Sequence, residues 1–176
     1  MRRVQSGDEA ALGALMHRWE LPVKSVTGRI VLNASEAEEL AQETFVRLWQ
    51  QRGRYRPDAP FRPWIFAIAV NLARNRLRWW KSRPVVALDD WTEVPSDDGA
   101  VDDSGTRRLE RAERVKAVRD AIADLPTELR EALVLFAYEQ MSYAEIAESV
   151  GASPKAVENR IARAREKLGV ALKSWA

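Results

Sequence analysis

The chain of 176 residues contains no cysteine and a single histidine, His17. Without thiols it can form neither disulfides nor Cys-based zinc sites, and catalysis by a cysteine nucleophile is excluded. One histidine is too few for a metal site built from imidazoles. We therefore expect neither a metal nor another cofactor.

Long apolar runs are missing as well. No stretch reaches the roughly 18 apolar residues that a membrane-spanning helix needs. The opening sequence MRRVQSGDEA is polar, unlike a signal peptide. With 46% hydrophobic and 31% charged residues, the composition suits both a buried core and a polar surface. These features predict a cytoplasmic protein that does not insert into the membrane.

Net charge is small but unevenly distributed. Residues 1–81 carry a net charge of +6, residues 82–106 of −6, and residues 107–176 of +2. Such asymmetry is typical of nucleic-acid partners, although two solvated domains with a polar linker would also produce it. The acidic segment has no helical or strand period, so we predict two domains, 1–81 and 107–176, joined by a flexible acidic linker.

Both predicted domains show helical periodicity, which predicts an all-α fold. In the first, a helix over residues 7–20 precedes a break at Pro22, and Ser35 with Glu38 has the spacing of a capping box. In the second, a helix ends at Pro126. Its predicted apolar side consists of Leu109, Val115, Val118, Ile122 and Leu125.

The stretch FRPWIFAIAVNLARNRLRWWKSR, residues 61–83, begins apolar and ends basic. Ala67, Asn71, Arg74 and Arg78 recur at helical spacing and form one polar line on an otherwise apolar helix. Either Asn71 bridges neighbouring helices while the arginines are solvated, or the line follows an anionic ligand. The pattern alone leaves both interpretations open.

The end of the chain has the pattern of a helix-turn-helix. One helix opens with a capping box of Ser142 and Glu145, Gly151 provides the turn, and Ser153 caps a helix that begins at Pro154. The second helix of such a motif lies in the major groove, where Lys and Arg read guanine and Asn reads adenine. The outward residues of this helix are Lys155, Asn159 and Arg163.

The order of these segments resembles a known family. AEELAQETFVRLW, FRPWIFAIAVNLARNRLR and the helix-turn-helix stretch, separated by an acidic linker, are similar to the extracytoplasmic-function group of bacterial sigma factors of the sigma-70 class. The resemblance covers nearly the whole chain. It implies that residues 1–81 bind core RNA polymerase and recognise and melt the −10 promoter element, and that residues 107–176 recognise the −35 element. The linker would thread the polymerase channel.

The resemblance also implies three sets of site residues. Those for the polymerase core are Glu39, Leu40, Gln42, Glu43 and Phe45, of which Leu40 and Phe45 are also expected to serve the domain's own core. Those for a flipped base and the phosphates of the single-stranded −10 element are Arg54, Tyr55, Phe61, Asn71, Arg74, Arg76, Arg78 and Lys81. Those for the −35 duplex are Ser153, Lys155, Glu158, Asn159, Arg160, Arg163 and Arg165.

Other aromatic and polar positions carry further expectations. Trp64 is expected in the core, whereas Trp79 and Trp80 are candidates for a wedge against DNA. Two residues depart from the family pattern. Gln140 stands where a glycine is common, so the turn before the motif is expected to differ, and Glu158 stands where a basic residue is frequent.

The implied partners are core RNA polymerase, promoter DNA (duplex at −35, the single-stranded non-template strand at −10) and an anti-sigma factor. The protein would not be an enzyme. The main alternative is a stand-alone helix-turn-helix transcriptional regulator, which would leave the polar line from Asn71 to Arg78 without a task. A nuclease or hydrolase is a third hypothesis, but the carboxylates fall on solvated helix faces or in the linker.

Overall fold

The computed structural model describes residues 1–82 and 105–173, with side chains for all of these except residues 105–111. Within these ranges the regular structure is helical and contains no strand, which confirms the all-α prediction. The α-helices of this described part are α1 (Arg2–Gln5), α2 (Glu9–Val31), α3 (Ala34–Gln50), α4 (Phe61–Ser82), α5 (Gly105–Ala123), α6 (Thr127–Ala137), α7 (Tyr143–Val150) and α8 (Pro154–Ala171). The predicted linker lies almost entirely outside the described residues.

Helix α2 is longer than predicted and runs through a proline. Asp8 caps it by accepting a hydrogen bond from the backbone N–H of Ala11 at 2.9 Å. The predicted break at Pro22 is wrong, because the helix continues past it. A proline inside a helix costs about 3 kcal/mol. The residues that follow include Val23 and Ile30, both fully buried. Burial of each such side chain contributes about 1.5–3 kcal/mol, which offsets that cost.

Asn33, and not Ser35, caps helix α3. Leu32 adopts a left-handed backbone with φ 61°, and Asn33 is extended with its Oδ1 accepting a hydrogen bond from the N–H of Glu36 at 2.8 Å. The predicted capping box of Ser35 and Glu38 is therefore wrong by two residues. The helix begins earlier because the tight turn that ends α2 places the extended residue at position 33.

Helices α2, α3 and α4 pack around an apolar core in which Phe66 is fully buried. An aromatic cluster lies beside this core. The ring centroids of Trp19 and Phe61 are 5.4 Å apart, and those of Tyr55 and Trp64 are 5.0 Å apart. Trp64 packs against the core, as predicted.

The predicted helix-turn-helix is formed by α7 and α8. Glu145 accepts a hydrogen bond from the backbone N–H of Ser142 at 2.9 Å, and the hydroxyl of Ser142 accepts one from the N–H of Glu145. Gly151 is left-handed with φ 67°, and the hydroxyl of Ser153 accepts a hydrogen bond from the N–H of Ala156 at 3.2 Å. The capping box, the turn and the second cap are therefore all confirmed.

Two details of the C-terminal helices differ from expectation. Of the predicted apolar side of α5, Val115 and Val118 are exposed, whereas Ile122 and Leu125 are buried. The side chain of Leu109 lies outside the described part of the chain. Gln140 adopts a left-handed backbone with φ 52°, a conformation that favours glycine. The turn before the motif thus takes a glycine-like shape without a glycine.

The N-terminal helices and the C-terminal helices pack directly against each other. Helix α4 lies against α7, and α2 lies against α6. The buried side chain of Arg130 in α6 donates to the carbonyl oxygen of Ile30 in α2 at 2.8 Å and to that of Leu125 at 3.0 Å. The sequence left this arrangement open. No helix in the two described ranges has the length and apolar character needed to cross a membrane.

Candidate nucleic-acid interface

The outward face of α8 carries the residues predicted to read duplex DNA. Lys155, Asn159 and Arg163 are all exposed and lie opposite the buried stripe that packs α8 against α6 and α7. Glu158 lies among them and forms an ion pair with Lys155, with a distance of 2.8 Å between Oε2 and Nζ. The acid therefore lowers the positive charge at the front of this face.

The residues that flank this face are engaged with α6 or with α8 itself. Arg160 is partly buried and pairs with Glu128 at 3.1 Å between Nη2 and Oε2. The guanidinium of Arg165 lies 5.0 Å from the ring centroid of Phe136, a cation–π contact. Ser153 uses its hydroxyl oxygen as the helix cap. These side chains thus have structural partners, whereas Asn159 and Arg163 point outward.

The polar line on α4 divides into exposed and captured residues. Asn71 is exposed, so the interpretation in which it bridges helices is wrong. Arg78 is exposed and donates a hydrogen bond to Asn75. Arg74 lies between them along the helix and is bound to Glu131 of α6. Asn71 and Arg78 are exposed, whereas the side chain of Arg74 is 26% exposed and bound to Glu131.

The Arg74–Glu131 ion pair is bidentate and buried on the Glu131 side. Nε of Arg74 donates to Oε1 at 2.7 Å and Nη2 to Oε2 at 2.5 Å, and the exposed fraction of the Glu131 side chain is 0%. Burial raises the pKa of Glu131, and the hydrogen bonds from Arg74 oppose this rise. The hydrogen bond to Glu131 raises the pKa of Arg74, which keeps the guanidinium charged.

Sequence reasoning missed Glu131. Its signal in the sequence was its place in the largely apolar run LREALVL, residues 129–135. In the structure every residue of this run is buried. A helix that is buried on all sides forces its charged residues into the interior as well. Arg130 and Glu131 are the two charged residues of that run, and each requires a partner that a helical wheel does not identify.

The other basic residues predicted to bind the −10 element differ in their exposure and in their partners. Arg76 pairs with Glu36 and, at 3.4 Å between Nη1 and Oε2, with Glu39. Arg54 and Lys81 are exposed. Arg54 and Lys81 are therefore open to solvent, whereas Arg76 is paired with two carboxylates.

The predicted base pocket is not assembled in this arrangement. Tyr55 is buried with 7% exposed, and its hydroxyl donates to the carbonyl oxygen of Ala59 at 2.6 Å. Burial raises the pKa of this phenol. Phe61 lies edge-on to Trp19, and Asn71 stands ten residues further along α4, about 15 Å away along the axis. Tyr55, Phe61 and Asn71 thus do not share one pocket, because the two aromatic rings belong to a cluster beside the main apolar core and Asn71 does not.

The exposed face of α3 carries the polar residues predicted to contact polymerase. Glu39 and Gln42 are exposed, and Glu43 is partly exposed and pairs with Arg47 at 2.7 Å. Val46 is 49% exposed on the same face, a position that sequence reasoning missed. The signal in the sequence was that Val46 follows Gln42 by four residues, a spacing that puts both on the same face of a helix.

Leu40 and Phe45 do not belong to this exposed face. They are 3% and 4% exposed and pack in the main apolar core, which the N-terminal helices share with α6, α7 and α8. Their position follows from the helical period, which turns them away from Glu39 and Gln42. Their contribution to a polymerase contact would be indirect, through the position of α3.

The two tryptophans at the end of α4 are not equivalent. Trp79 is 45% exposed, whereas Trp80 is partly buried and packs against the core. The indole N–H of Trp80 finds no hydrogen-bond acceptor among the described residues. Of the pair, Trp79 is the one that a partner can reach.

Two models of known protein families match parts of the chain. The model of the family "Sigma-70 region 2" matches residues 15–81, and that of "Sigma-70, region 4" matches residues 116–168. The chain is 34% identical to the RNA polymerase sigma-H factor of Pseudomonas aeruginosa over 176 residues, which is 98% of this chain and 91% of the relative. It is 32% identical to the ECF RNA polymerase sigma-E factor of Salmonella typhimurium over 172 residues, 96% of this chain and 90% of the relative.

The chain belongs to the extracytoplasmic-function sigma factors of the sigma-70 family. The fold of this sigma factor agrees with solved structures. It matches CnrH, solved in complex with the cytosolic domain of CnrY, with a TM-score of 0.73 and 30% identity over 99% of this chain and 96% of that one. It also matches the fold of RpoE, solved in complex with the anti-sigma factor NepR from Bartonella quintana. That match has a TM-score of 0.71 and 21% identity, and covers 92% of this chain and 96% of RpoE.

Proposed function

We propose that this sigma factor acts as the promoter-specificity subunit of RNA polymerase. Residues 1–81 would bind core polymerase and recognise and melt the −10 element, and residues 107–176 would recognise the −35 element. The observation that carries the proposal is the exposed face of Lys155, Asn159 and Arg163 on the second helix of the helix-turn-helix. The membership of the chain in a family of transcription initiation factors supports it.

Duplex recognition at −35 would fall mainly to Asn159 and Arg163. Their amide and guanidinium groups have the geometry to bind adenine and guanine edges in the major groove. Arg160, Arg165 and Lys155 would contribute phosphate contacts, which add affinity without selecting a sequence. Glu158 beside Lys155 would favour a cytosine partner or exclude a phosphate from this position.

Recognition at −10 would fall to the exposed part of α4. The amide of Asn71 can bond to a base edge, and Arg78 and Lys81 can follow the phosphates of the non-template strand. Removing a base from the stack costs a few kcal/mol, which hydrogen bonds and aromatic stacking offset. Tyr55 is hydrogen-bonded to Ala59 and Arg74 is bound to Glu131. A role for either at the −10 element requires that these contacts break when DNA binds.

The polymerase contact would be made by the exposed face of α3, through Glu39, Gln42, Glu43 and Val46. A partly exposed valine surrounded by polar groups suits the centre of a protein interface, where apolar contact is surrounded by a polar rim. We also propose an anti-sigma factor as a protein partner, since CnrH and RpoE were solved with the cytosolic domain of CnrY and the anti-sigma factor NepR. The protein would work in the cytoplasm and would have no catalytic activity of its own.

The experiment that tests the function combines the purified chain with core RNA polymerase and a library of promoter sequences. We expect transcripts that start at specific sites, and only when both components are present. A stand-alone regulator would instead bind duplex DNA tightly without polymerase and would direct no initiation with it. That pattern would contradict the proposal.

A further inference from the structure

Lys155 and Glu158 stand one turn apart at the front of α8, the part of a recognition helix that reaches base edges. Nζ of Lys155 donates to Oε2 of Glu158 at 2.8 Å, and both side chains are exposed. Ala162 follows Glu158 by one further turn and carries only a methyl group, which leaves space beside the carboxylate. The pair therefore faces the solvent that DNA would replace.

The stability of the fold does not account for this pair. An exposed ion pair contributes little to stability, and a lysine that precedes its glutamate is the weaker order on a helix. Arg160 pairs with Glu128 and ties α8 to α6. The hydrogen bond between Lys155 and Glu158 uses one of three ammonium protons and one carboxylate lone pair, so both groups can still bind a ligand.

The spacing of the two charged groups matches the edge of one base pair. In a C·G pair the amino group of cytosine donates to O6 of guanine, and the nitrogen and oxygen of such a hydrogen bond are about 2.9 Å apart. The amino group keeps a second hydrogen, and O6 a second lone pair, that point into the major groove. Nζ and Oε2, 2.8 Å apart, can therefore bind O6 and the amino group at the same time.

We propose that Lys155 and Glu158 form one reading unit for a single C·G pair of the −35 element, with the ammonium on guanine and the carboxylate on cytosine. The inference rests on the proposed recognition of −35 by α8 and deepens it. It moves Lys155 from a phosphate to a base edge, because the neighbouring carboxylate offsets the charge of the lysine and repels phosphates.

Other base pairs fit the reading unit less well. A reversed pair sets the ammonium against an amino group and the carboxylate against an oxygen. An A·T pair offers an amino group and an oxygen in the right order, but N7 of adenine stands beside the carboxylate and the thymine methyl beside the ammonium. In a C·G pair, N7 of guanine is a second acceptor for the ammonium. The unit should thus select both the base pair and its orientation.

The test uses the full chain with core RNA polymerase and a promoter library randomised over the −35 element, from which the bound DNA is sequenced. We expect one position at which the parent favours cytosine. Glu158→Ala and Lys155→Ala should each reduce the preference at this same position roughly tenfold. The double variant should lose no more than either single variant, because the two side chains act as a unit.

Two features of the chain make these variants interpretable. Lys155 and Glu158 are exposed, so their removal should leave the fold unchanged. Glu166→Ala is the matched control, because it removes an exposed acid from the C-terminal half of the same helix. This variant should keep the cytosine preference of the parent.

A second variant and a second measurement examine Glu158 further. Glu158→Gln should change the preferred base from cytosine to adenine, because a glutamine amide bonds to both N6 and N7 of adenine. Glu158→Ala should bind a random duplex more tightly than the parent does, since the charge of Lys155 is then unopposed. Its affinity should also fall more steeply with salt, by about one in the logarithmic slope.

The outcomes separate this inference from the proposed function. Cytosine preference that survives either alanine variant would overturn the reading unit, and so would variants that change different positions. A loss in Lys155→Ala that is uniform over the library would return this lysine to a phosphate and would also overturn it. If Arg163→Ala changes the selected sequences in the same experiment, the proposed function stands and the inference alone fails. A parent that selects no −35 sequence would overturn both.

Discussion

Arg76 of α4 and Glu39 of α3 form an ion pair, with 3.4 Å between Nη1 and Oε2, and Arg76 also pairs with Glu36. One side chain proposed for DNA therefore contacts one proposed for polymerase. The two surfaces adjoin along neighbouring helices, so contacts made by polymerase on α3 can affect the charge that α4 presents to DNA.

Glu39→Ala should weaken binding to core polymerase while leaving the fold intact. Glu39 is exposed, and its pair with Arg76 should contribute less than about 1 kcal/mol to the free energy of unfolding. Glu36 retains Arg76 in the variant. Titration of labelled sigma factor with core polymerase measures the affinity, and urea unfolding measures the stability. Glu20→Ala, an exposed acid on α2, is the control. Normal affinity combined with a large loss of stability would contradict the assignment.

Asn71→Ala should impair promoter opening and spare both folding and polymerase binding. The side chain is exposed, so its removal leaves no buried group without a partner. Loss of a hydrogen bond to a base should reduce the melted fraction roughly tenfold. Reactivity of unpaired thymines in the complex with polymerase reports this fraction. Gln50→Ala, which removes an exposed amide at the end of α3, serves for comparison, and an equal defect in both variants would count against a specific role of Asn71.

Arg163→Ala should weaken binding to the preferred −35 sequence by about 1–3 kcal/mol if the guanidinium reads a base. Arg163 is exposed on the outward face of α8, so folding should not change. Binding is measured on a panel of duplexes that differ at single base pairs. A uniform loss over the whole panel would identify a phosphate contact instead. Lys167→Ala, on the same helix beyond the proposed interface, should show a smaller effect.

Gln140→Gly should stabilise the protein. Gln140 has a φ of 52°, where a side chain is strained by roughly 1–2 kcal/mol and glycine is not. The greater freedom of glycine in the unfolded chain removes part of this gain, which leaves an expected increase of about 0.5–1 kcal/mol in the free energy of unfolding. Urea unfolding checks this value. Glu148→Gly, in the middle of α7, should instead destabilise by about 1 kcal/mol. A destabilised Gln140 variant would mean that this side chain makes a contact worth more than the strain.

The capping box of α7 should make stability depend on pH. Hydrogen bonds from the backbone N–H and the hydroxyl of Ser142 lower the pKa of Glu145 below its ordinary value of 4.5. The ionised carboxylate therefore stabilises the folded state above that value, and the contribution disappears as the pH falls through the lowered pKa.

Glu145→Gln tests this dependence, because glutamine can keep the hydrogen bonds of a capping box and does not titrate. Unfolding free energies of the parent and the variant are compared from neutral pH down to about pH 3. We expect the difference between them to shrink as the pH falls below the ordinary pKa of a glutamate. A difference that stays constant over this range would show that the charge of Glu145 contributes nothing.

Caps illustrate what local sequence can and cannot decide. Ser142, Gly151 and Ser153 were predicted correctly, because each satisfies a backbone group within its own turn. The prediction that Ser35 caps α3 had the same local basis, but it was wrong. The left-handed Leu32 ends α2 and makes Asn33 the cap. Two cap candidates that lie two residues apart compete, and the path of the preceding helix determines which is used.

The sequence by itself determined the all-α class, the helix-turn-helix and the line from Asn71 to Arg78, because all of these follow from the period of a single helix and from contacts within a turn. Only the tertiary structure decided that Tyr55 is buried and that Glu131 captures Arg74. Arg74 and Glu131 lie 57 positions apart, on α4 and α6. No local pattern links them, since their pairing arises from the burial of α6 against the N-terminal helices, where a charged side chain must find an opposite charge.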